Sequence, residues 1–289
     1  MLTNKRSKTK QIFKIKGRST QSKIIVIISD LHVGSDYAIT CLDGPYKPTV
    51  HHLITREHWL ESIDMVGRHE LLILNGEPAN GINKKNNGAE NYTSDITLQR
   101  RHGVKAVKEW KFDDIIVTRG SGYHSSDGGW TWYEEDFAEM IGAIPQGSNG
   151  DWTDEETSFW FGGKVFNCTH HVPGSRWFHY STTPMTREGM GVALNRKKYY
   201  TDDVKHIDVV VRSHQHHRHM TDIEHQILLQ TGCWQFRNRY MKRSGMGGLF
   251  PTIGCSWFVV EQNGNIDYHK DDLPDWKIPK KELLKNWEF

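Results

Sequence analysis

The sequence contains no apolar run that approaches the roughly 20 residues needed to span a bilayer, and its first residues lack the apolar core of a secretory signal. Cysteine is also sparse: the chain has four in 289 residues, widely separated and without a C-x-x-C pair. This spacing argues against a disulfide framework and against a cysteine-type zinc site. We therefore expect an intracellular protein of a reducing compartment, the cytoplasm, with no membrane partner.

Acidic residues are missing from the first 23 positions, which carry eight Lys and Arg although the whole chain has a net charge of only +2. A block of one charge is typical of a solvated, flexible tail. It could also neutralise the phosphates of a nucleic acid. An organelle transit peptide fits less well, because Lys outnumbers Arg. We predict a basic, flexible tail over residues 1–23 and a single domain over residues 24–289.

Apolar, β-branched segments alternate with stretches of helical periodicity along the rest of the chain. Segments that are apolar on both faces suit a sheet covered on both sides. The predicted strands are Lys23–Ser29, Glu70–Leu74, Asp114–Thr118, Lys164–Cys168, Ile207–Arg212 and Gln226–Gln230. The predicted helices are Thr55–Val66, a run to Trp110 capped by Ser94, Trp132–Ile141, and a run from Pro184 to Lys198. The alternation predicts an α/β fold, and two late hairpin strands, Ser256–Val260 and Ile266–His269, indicate a second sheet.

Metal-competent side chains follow five of these strands. Asp30 and His32 follow the first, and Glu77, His124, His170 with His171, and His214 with His216 follow later ones. Each taken alone has a simpler explanation as a turn or loop residue. Carboxylate oxygens and imidazole nitrogens together suit Zn, Mn or Fe. Because ligands of α/β proteins bind at the carboxyl ends of strands, the recurrence predicts a metal site at this edge.

The order of these motifs resembles that of the calcineurin-like metallophosphoesterase superfamily, which reads D-x-H, G-D-x-x-D, G-N-H-[DE], a lone His and G-H-x-H. The resemblance covers residues 24–217 and implies two facing β-sheets flanked by helices. It also implies two divalent metal ions, Mn in the first place, with Zn, Fe, Ni or Mg as alternatives. By the resemblance, the first metal is held by Asp30, His32 and His216, the second by His170 and His214, and Glu77 bridges them. His171 is the fallback for His170.

Two motifs depart from the family pattern. Glu77 replaces the bridging Asp, and Asn80 replaces the later Asp of the same motif. The Asn of G-N-H is absent, and Ser121 or Tyr123 stands in its place. We therefore expect weaker binding at the second metal site. The dense run from His214 to His219 is also similar to the H-x-H-x-D-H motif of metallo-β-lactamase-like hydrolases, although Arg218 stands where that motif needs Asp.

The resemblance implies hydrolysis of a phosphate ester, with hydroxide generated by the metals and with His124 protonating the leaving group. Arg119 is a candidate for steadying a phosphate oxygen or for a structural ion pair, and His217 and Tyr123 are candidate substrate contacts. Basic clusters and tryptophans favour a phosphodiester in a nucleic acid or nucleotide, with phosphomonoesters as a second option. The alternative is a metal-containing nucleic-acid-binding module with impaired catalysis. The basic clusters are Lys84-Lys85, Arg100-Arg101 and Arg196-Lys197-Lys198. The tryptophans proposed to stack on bases are Trp130, Trp132, Trp152, Trp160 and Trp177.

Overall fold

The computed structural model describes most of the chain and all of its predicted strands. The described residues are 13–14, 22–42, 46–82, 88–124, 132–146, 150–172, 182–199, 206–223, 225–243 and 250–277. Most of the predicted basic tail lies outside them, as do Lys84-Lys85, Trp130, Trp177 and the side chains of Arg196, Lys197 and Lys198. The division into a tail and one domain therefore stays a prediction. None of the described helices is long and apolar enough to cross a membrane.

Two six-stranded sheets form the centre of the fold. The first has the order β12-β11-β2-β3-β4-β5, in which β2 to β5 run parallel and β11 pairs antiparallel with both β2 and β12. Its strands are β2 (Lys23–Ile28), β3 (Leu71–Asn75), β4 (Asp114–Thr118), β5 (Thr153–Asp154), β11 (Gly254–Val260) and β12 (Ile266–Asp272).

The second sheet has the order β1-β6-β7-β8-β10-β9 and mixes parallel with antiparallel pairs. Its strands are β1 (Phe13–Lys14), β6 (Glu156–Phe161), β7 (Lys164–Thr169), β8 (Val209–Arg212), β9 (His219–Ile223) and β10 (Gln226–Gln230). The turn of the β6–β7 hairpin is Gly162-Gly163, and both glycines have positive φ, which this tight turn requires.

Strand β2 shows why these strands are apolar throughout. Ile25 and Ile27 point into a core between the two sheets, where they meet Phe166 and Val209 of the second sheet. Val26 and Ile28 point to the opposite face and pack with helices there. A third core, around Val210 and Leu228, lies between the second sheet and another helix. The predicted α/β fold with two facing sheets flanked by helices is therefore confirmed.

The helices begin at different residues from those predicted. They are α1 (Val50–Val66), α2 (Ile96–Lys108), α3 (Tyr133–Ile141), α4 (Thr183–Tyr199) and the short α5 (Arg239–Arg243), with a 3-10 turn at Asp275–Lys277. Helix α1 starts five residues before Thr55, because the Thr49 hydroxyl accepts a hydrogen bond from the His52 amide. Asp95, and not Ser94, caps α2, because its carboxylate accepts from the Thr97 and Leu98 amides.

Tryptophans offered as base-stacking candidates have packing roles where they are described. Trp152 packs against the core on the helix-covered face of the first sheet, and Trp160 packs against the core below α4. The Arg119 guanidinium lies over the Trp132 ring, with its Cζ atom 5.4 Å from the ring centroid. Packing therefore accounts for all three.

Candidate metal centre

The predicted ligands lie in the loops that follow β2, β3, β7 and β8, and backbone hydrogen bonds hold these loops together. The Asp30 amide donates to the Gly76 carbonyl at 3.2 Å, and the His32 amide donates to the Glu77 carbonyl at 3.1 Å. The two loops at the ends of β2 and β3 therefore run side by side. Across the sheets, the His214 amide donates to Oδ2 of Asp30 at 3.3 Å.

Six side chains converge into two groups that share one carboxylate. Asp30, His32, Glu77 and His216 form one group, and Glu77, His170 and His214 form the other. Within each group the potential ligand atoms lie within 4.8 Å of one another. Oε2 of Glu77 faces the first group, 3.0 Å from His32 Nε2, and Oε1 faces the second, 3.3 Å from His170 Nε2. One carboxylate is thus placed between two potential ion sites.

The hydrogen bonds around these groups leave their inward atoms free for a cation. His32 Nδ1 lies 3.1 Å from Asn80 Oδ1, and His170 Nδ1 lies 2.7 Å from the Asn75 carbonyl, so each Nδ1 is the donor and each Nε2 is the ring nitrogen left to face the ion sites. Oδ2 of Asp30 accepts from Ser29 and from the His214 amide. Within the described part of the chain, no hydrogen-bond partner meets Asp30 Oδ1, His170 Nε2 or His214 Nδ1, although all three are buried. This donor set fits divalent metal ions.

The backbone is strained where the ligands sit. Seven described residues other than glycine have positive φ, and five of them are Asp30, His32, Glu77, His214 and His216. The left-handed conformation is costly for residues with a side chain and accumulates at functional sites. Here it turns the side chains that follow the strands inward over the sheet edge.

Two glycines make room for the centre. A Cβ atom on Gly76, whose φ is 85°, would lie 2.3 Å from His170 Nδ1. A Cβ atom on Gly120 would lie 2.6 Å from Glu77 Cγ. Because neither neighbour is the free end of a flexible chain, only glycine lets His170 and Glu77 reach these places.

The ligand groups differ in charge in the metal-free protein. Burial alone would raise the pKa of the Asp30 and Glu77 carboxyls, but neighbouring histidines outweigh it and hold both pKa values below the usual range. Burial opposes a charge on His170, yet the Glu77 and Asp30 carboxylates raise its pKa to about 9. His216 shows the same balance, and its pKa lies well above the usual value because Cys233 and Asp30 outweigh burial.

The remaining two histidines are neutral. Burial lowers the pKa of His32, and it lowers that of His214 to about 4. Two carboxylates therefore face two histidines whose pKa values are raised and two whose pKa values are lowered. Two ions bound here would each displace the proton of one raised histidine.

Sequence comparison finds no family model and no curated protein that matches this chain. Solved structures do match. Vps29 of Entamoeba histolytica complexed with Zn²⁺ is 11% identical, with a TM-score of 0.41 over 87% of this chain and 99% of that one. An archaeal phosphodiesterase is 14% identical, with a TM-score of 0.42 over 86% and 99%. A predicted phosphoesterase from Streptococcus pneumoniae is 9% identical, with a TM-score of 0.35 over 88% and 99%.

A phosphodiesterase and a predicted phosphoesterase are thus among the solved structures that this chain is similar to. At these identities and scores, the likenesses carry no argument about activity.

His124 lies beside the first ligand group without belonging to it. Its ring meets the His32 ring edge to face, with centroids 4.7 Å apart, and its Nδ1 lies 2.7 Å from the Asn80 carbonyl oxygen. Because a carbonyl oxygen only accepts, Nδ1 carries a proton and Nε2 is the atom left for other chemistry. His124 and Tyr123 both line a cavity of about 220 Å³ whose floor includes Glu77, His214 and His216.

Arg119 is not a phosphate ligand in this structure. Its Nε donates to Thr153 Oγ1 at 2.9 Å, its Nη1 to Glu155 at 2.8 Å, and its Nη2 lies 3.6 Å from Glu135. All the contacts of the guanidinium given above lie near β4 and β5, and Arg119 does not line the cavity. These contacts are those of a structural ion pair, and the contact of Arg119 with a phosphate oxygen stays a prediction.

His217 also lies away from the cavity. His217 is buried, and its Nε2 lies 3.0 Å from Gln230 Nε2. The substrate contact predicted for His217 stays a prediction, since its side chain does not line this cavity. The Arg218 side chain is 4% exposed and is paired with Asp272. The run from His214 to His219 contains no carboxylate for a metallo-β-lactamase-like site.

Asn75 was not assigned a role from the sequence. Its Nδ2 donates to Ser213 Oγ at 2.6 Å and to the Thr169 carbonyl at 3.2 Å, and its Oδ1 accepts from Thr118 at 2.6 Å. It therefore ties the ends of β3, β4, β7 and β8 together behind the ligands. An Asn at the end of an apolar strand is the feature of the sequence that could indicate this role, because a buried amide must form hydrogen bonds.

Proposed function

We propose that this protein is a metal-dependent phosphoesterase that hydrolyses phosphodiester bonds, with nucleic acids or nucleotides as the favoured substrates and phosphomonoesters as a second option. The observation that supports this most is the pair of ligand groups sharing Glu77 at the floor of a cavity that His124 also lines. Mn²⁺ is the ion we propose first, and the nitrogen-rich donor set also suits Zn²⁺.

In this proposal Asp30, His32 and His216 hold the first ion, His170 and His214 hold the second, and Glu77 joins both. Two ions held there would polarise the phosphoryl oxygens and make hydroxide available near neutral pH. The chain's own contribution is rigidity. Asn80 and Asn75 orient His32 and His170, and Ser121 donates from Oγ to Glu77 Oε1 at 2.5 Å.

His124 is the proposed general acid. The Asn80 carbonyl holds its Nδ1 proton at 2.7 Å, so the imidazolium form presents an Nε2 proton to the cavity. That proton would pass to the leaving oxygen as the P–O bond breaks, a role that contributes about 10²–10⁴-fold to the rate. Tyr123, 57% exposed at the cavity wall, is the proposed substrate contact in place of His217.

The test compares His124→Ala with His206→Ala in Mn-loaded protein. His206 is an exposed histidine near the opposite end of β8, which makes it the matched control. We expect His124→Ala to keep its bound metal by elemental analysis. It should lose about 10²–10⁴-fold in kcat on a dinucleotide and clearly less on bis(4-nitrophenyl) phosphate, whose leaving group needs little protonation. Equal losses on both diesters would contradict the general-acid role.

The alternative is a metal-containing nucleic-acid-binding module with impaired catalysis. Glu77 and Asn80, which replace two carboxylate positions of the family pattern, favour it. Protein that contains both ions and binds an oligonucleotide but turns over neither diester nor phosphomonoester would establish this alternative and contradict the proposed activity.

A further inference from the structure

A strongly basic segment borders the mouth of the cavity. Residues 237–243 read Arg-Asn-Arg-Tyr-Met-Lys-Arg, four cations in seven positions with no acidic residue. Asn238, Tyr240 and Met241 of this segment line the cavity itself. We call residues 237–243 the basic rim. Nothing in the motif pattern pointed to it, because it lies after the last motif.

The cations of the basic rim are largely uncompensated. Glu90 accepts from the Arg239 amide at 3.0 Å and lies 3.8 Å from its Nε, which balances one charge. Among the described residues, Arg237, Lys242 and Arg243 make no ion pair. Arg237 lies over the Phe250 ring at 5.4 Å and Lys242 over the Tyr37 ring at 5.7 Å. Positive charge is therefore concentrated beside the proposed metal centre.

Exposed aromatic side chains accompany these cations. Tyr240 is 44% exposed and Phe250 is 63% exposed, next to the rim, and Tyr123 is 57% exposed at the cavity wall. Large exposed rings beside cations are the features that bind single strands, because unpaired bases stack on rings while phosphates meet cations. A duplex keeps its bases stacked internally and cannot use these rings.

We propose that the basic rim binds a single-stranded nucleic acid, with one phosphodiester in the cavity and flanking phosphates on Lys242 and Arg243. A mononucleotide has no flanking phosphates and would leave these cations without a partner. The inference rests on the proposed phosphodiesterase function and adds the surface that selects a polymeric substrate over a small one.

The test uses the double variant Lys242→Gln/Arg243→Gln, with Arg68→Gln/Lys111→Gln as the matched control. All four side chains are exposed, and the control pair lies near the opposite edge of the first sheet, before β3 and β4. Binding of a labelled oligothymidine of about 12 nucleotides is measured by fluorescence anisotropy across a salt series, a readout independent of turnover. Hydrolysis of bis(4-nitrophenyl) phosphate is measured in parallel.

Each lost phosphate contact lowers the log–log salt slope by about 0.7 for a single strand. We therefore expect the rim variant to lose about 1.4 from the slope, corresponding to about 25-fold weaker binding at roughly 0.1 M salt. The control should match the unmodified protein in its salt slope and in its kcat/KM on the small diester. A rim variant with the unmodified slope, or a duplex bound as tightly as the single strand, would overturn the proposal. Failure to hydrolyse the small diester would instead count against the proposed activity and leave the binding result readable.

Discussion

Metal binding should displace protons from two particular histidines. In the metal-free protein the pKa of His170 is raised to about 9 and that of His216 also lies well above its usual value. Both are therefore protonated at pH 7, whereas His32 and His214, whose pKa values are lowered, are neutral. A metal ion binds only the neutral imidazole. Because each ligand group contains one raised histidine, each ion should release about one proton.

The size of the effect follows from His170. A pKa raised from 6.5 to about 9 corresponds to about 3 kcal/mol in favour of the imidazolium. At pH 7 the group is then almost fully protonated. The sign is fixed: the proton competes with the ion below the raised pKa, so metal affinity at the site that contains His170 rises about tenfold per pH unit and levels off near pH 9.

Calorimetric titration of Mn²⁺ into metal-free protein tests this. Repeating it at pH 7 in buffers of different ionisation enthalpy gives the number of protons released, which we expect to be about two for full loading. Glu77→Gln removes a carboxylate that raises the His170 pKa, so the variant should release fewer protons as well as bind more weakly. Release of less than about half a proton by the unmodified protein would refute the assigned charge states.

Three further predictions concern single residues. Glu77→Asp restores the residue of the family pattern, but its shorter side chain moves the carboxylate away from His170. Elemental analysis of this variant should therefore show loss of the second ion. Two retained ions would show that the loop adapts. Gly76→Ala should cost about 1–3 kcal/mol in urea denaturation and weaken the second site, since its Cβ would lie 2.3 Å from His170 Nδ1. Arg119→Gln should cost about 1–2 kcal/mol through its lost bonds to Thr153 and Glu155 while kcat on a small diester stays unchanged, and a large fall in kcat would restore its phosphate role.

The strands could be predicted because burial on both faces makes their sequences continuously apolar. Asp114–Thr118 and Gln226–Gln230 agree residue by residue with β4 and β10. Strand β9 (His219–Ile223) escaped prediction because it is an edge strand whose side chains are half-buried or exposed, so its sequence carries no apolar run. The start of α1 escaped for a related reason: two buried histidines, His51 and His52, occupy its first turn in place of aliphatic residues.

The candidate site could also be predicted only in part. The ligands could be named because each follows a recognisable strand, and the strand order then brings them together. The positions of the side chains next to the candidate ligands in sequence were harder to predict. His217 directly follows His216, yet His216 lines the cavity whereas His217 contacts Gln230. The basic rim could not be linked to the site, because only the three-dimensional arrangement brings residues 238–241 to the cavity.

The two departures from the family pattern are one structural change. Taken separately, a Glu for the bridging Asp displaces a carboxylate, and the loss of the Asn removes a neighbour of the second site. In the structure they are adjacent: Glu77 carries one more methylene than Asp, Ser121 is shorter than Asn, and Ser121 Oγ meets Glu77 Oε1 at 2.5 Å. Gly120 leaves room for the extra Cγ, and the positive φ of Glu77 sets its direction. A longer acid and a shorter neighbour thus compensate between the loops that follow β3 and β4, which keeps one Glu77 oxygen facing His170.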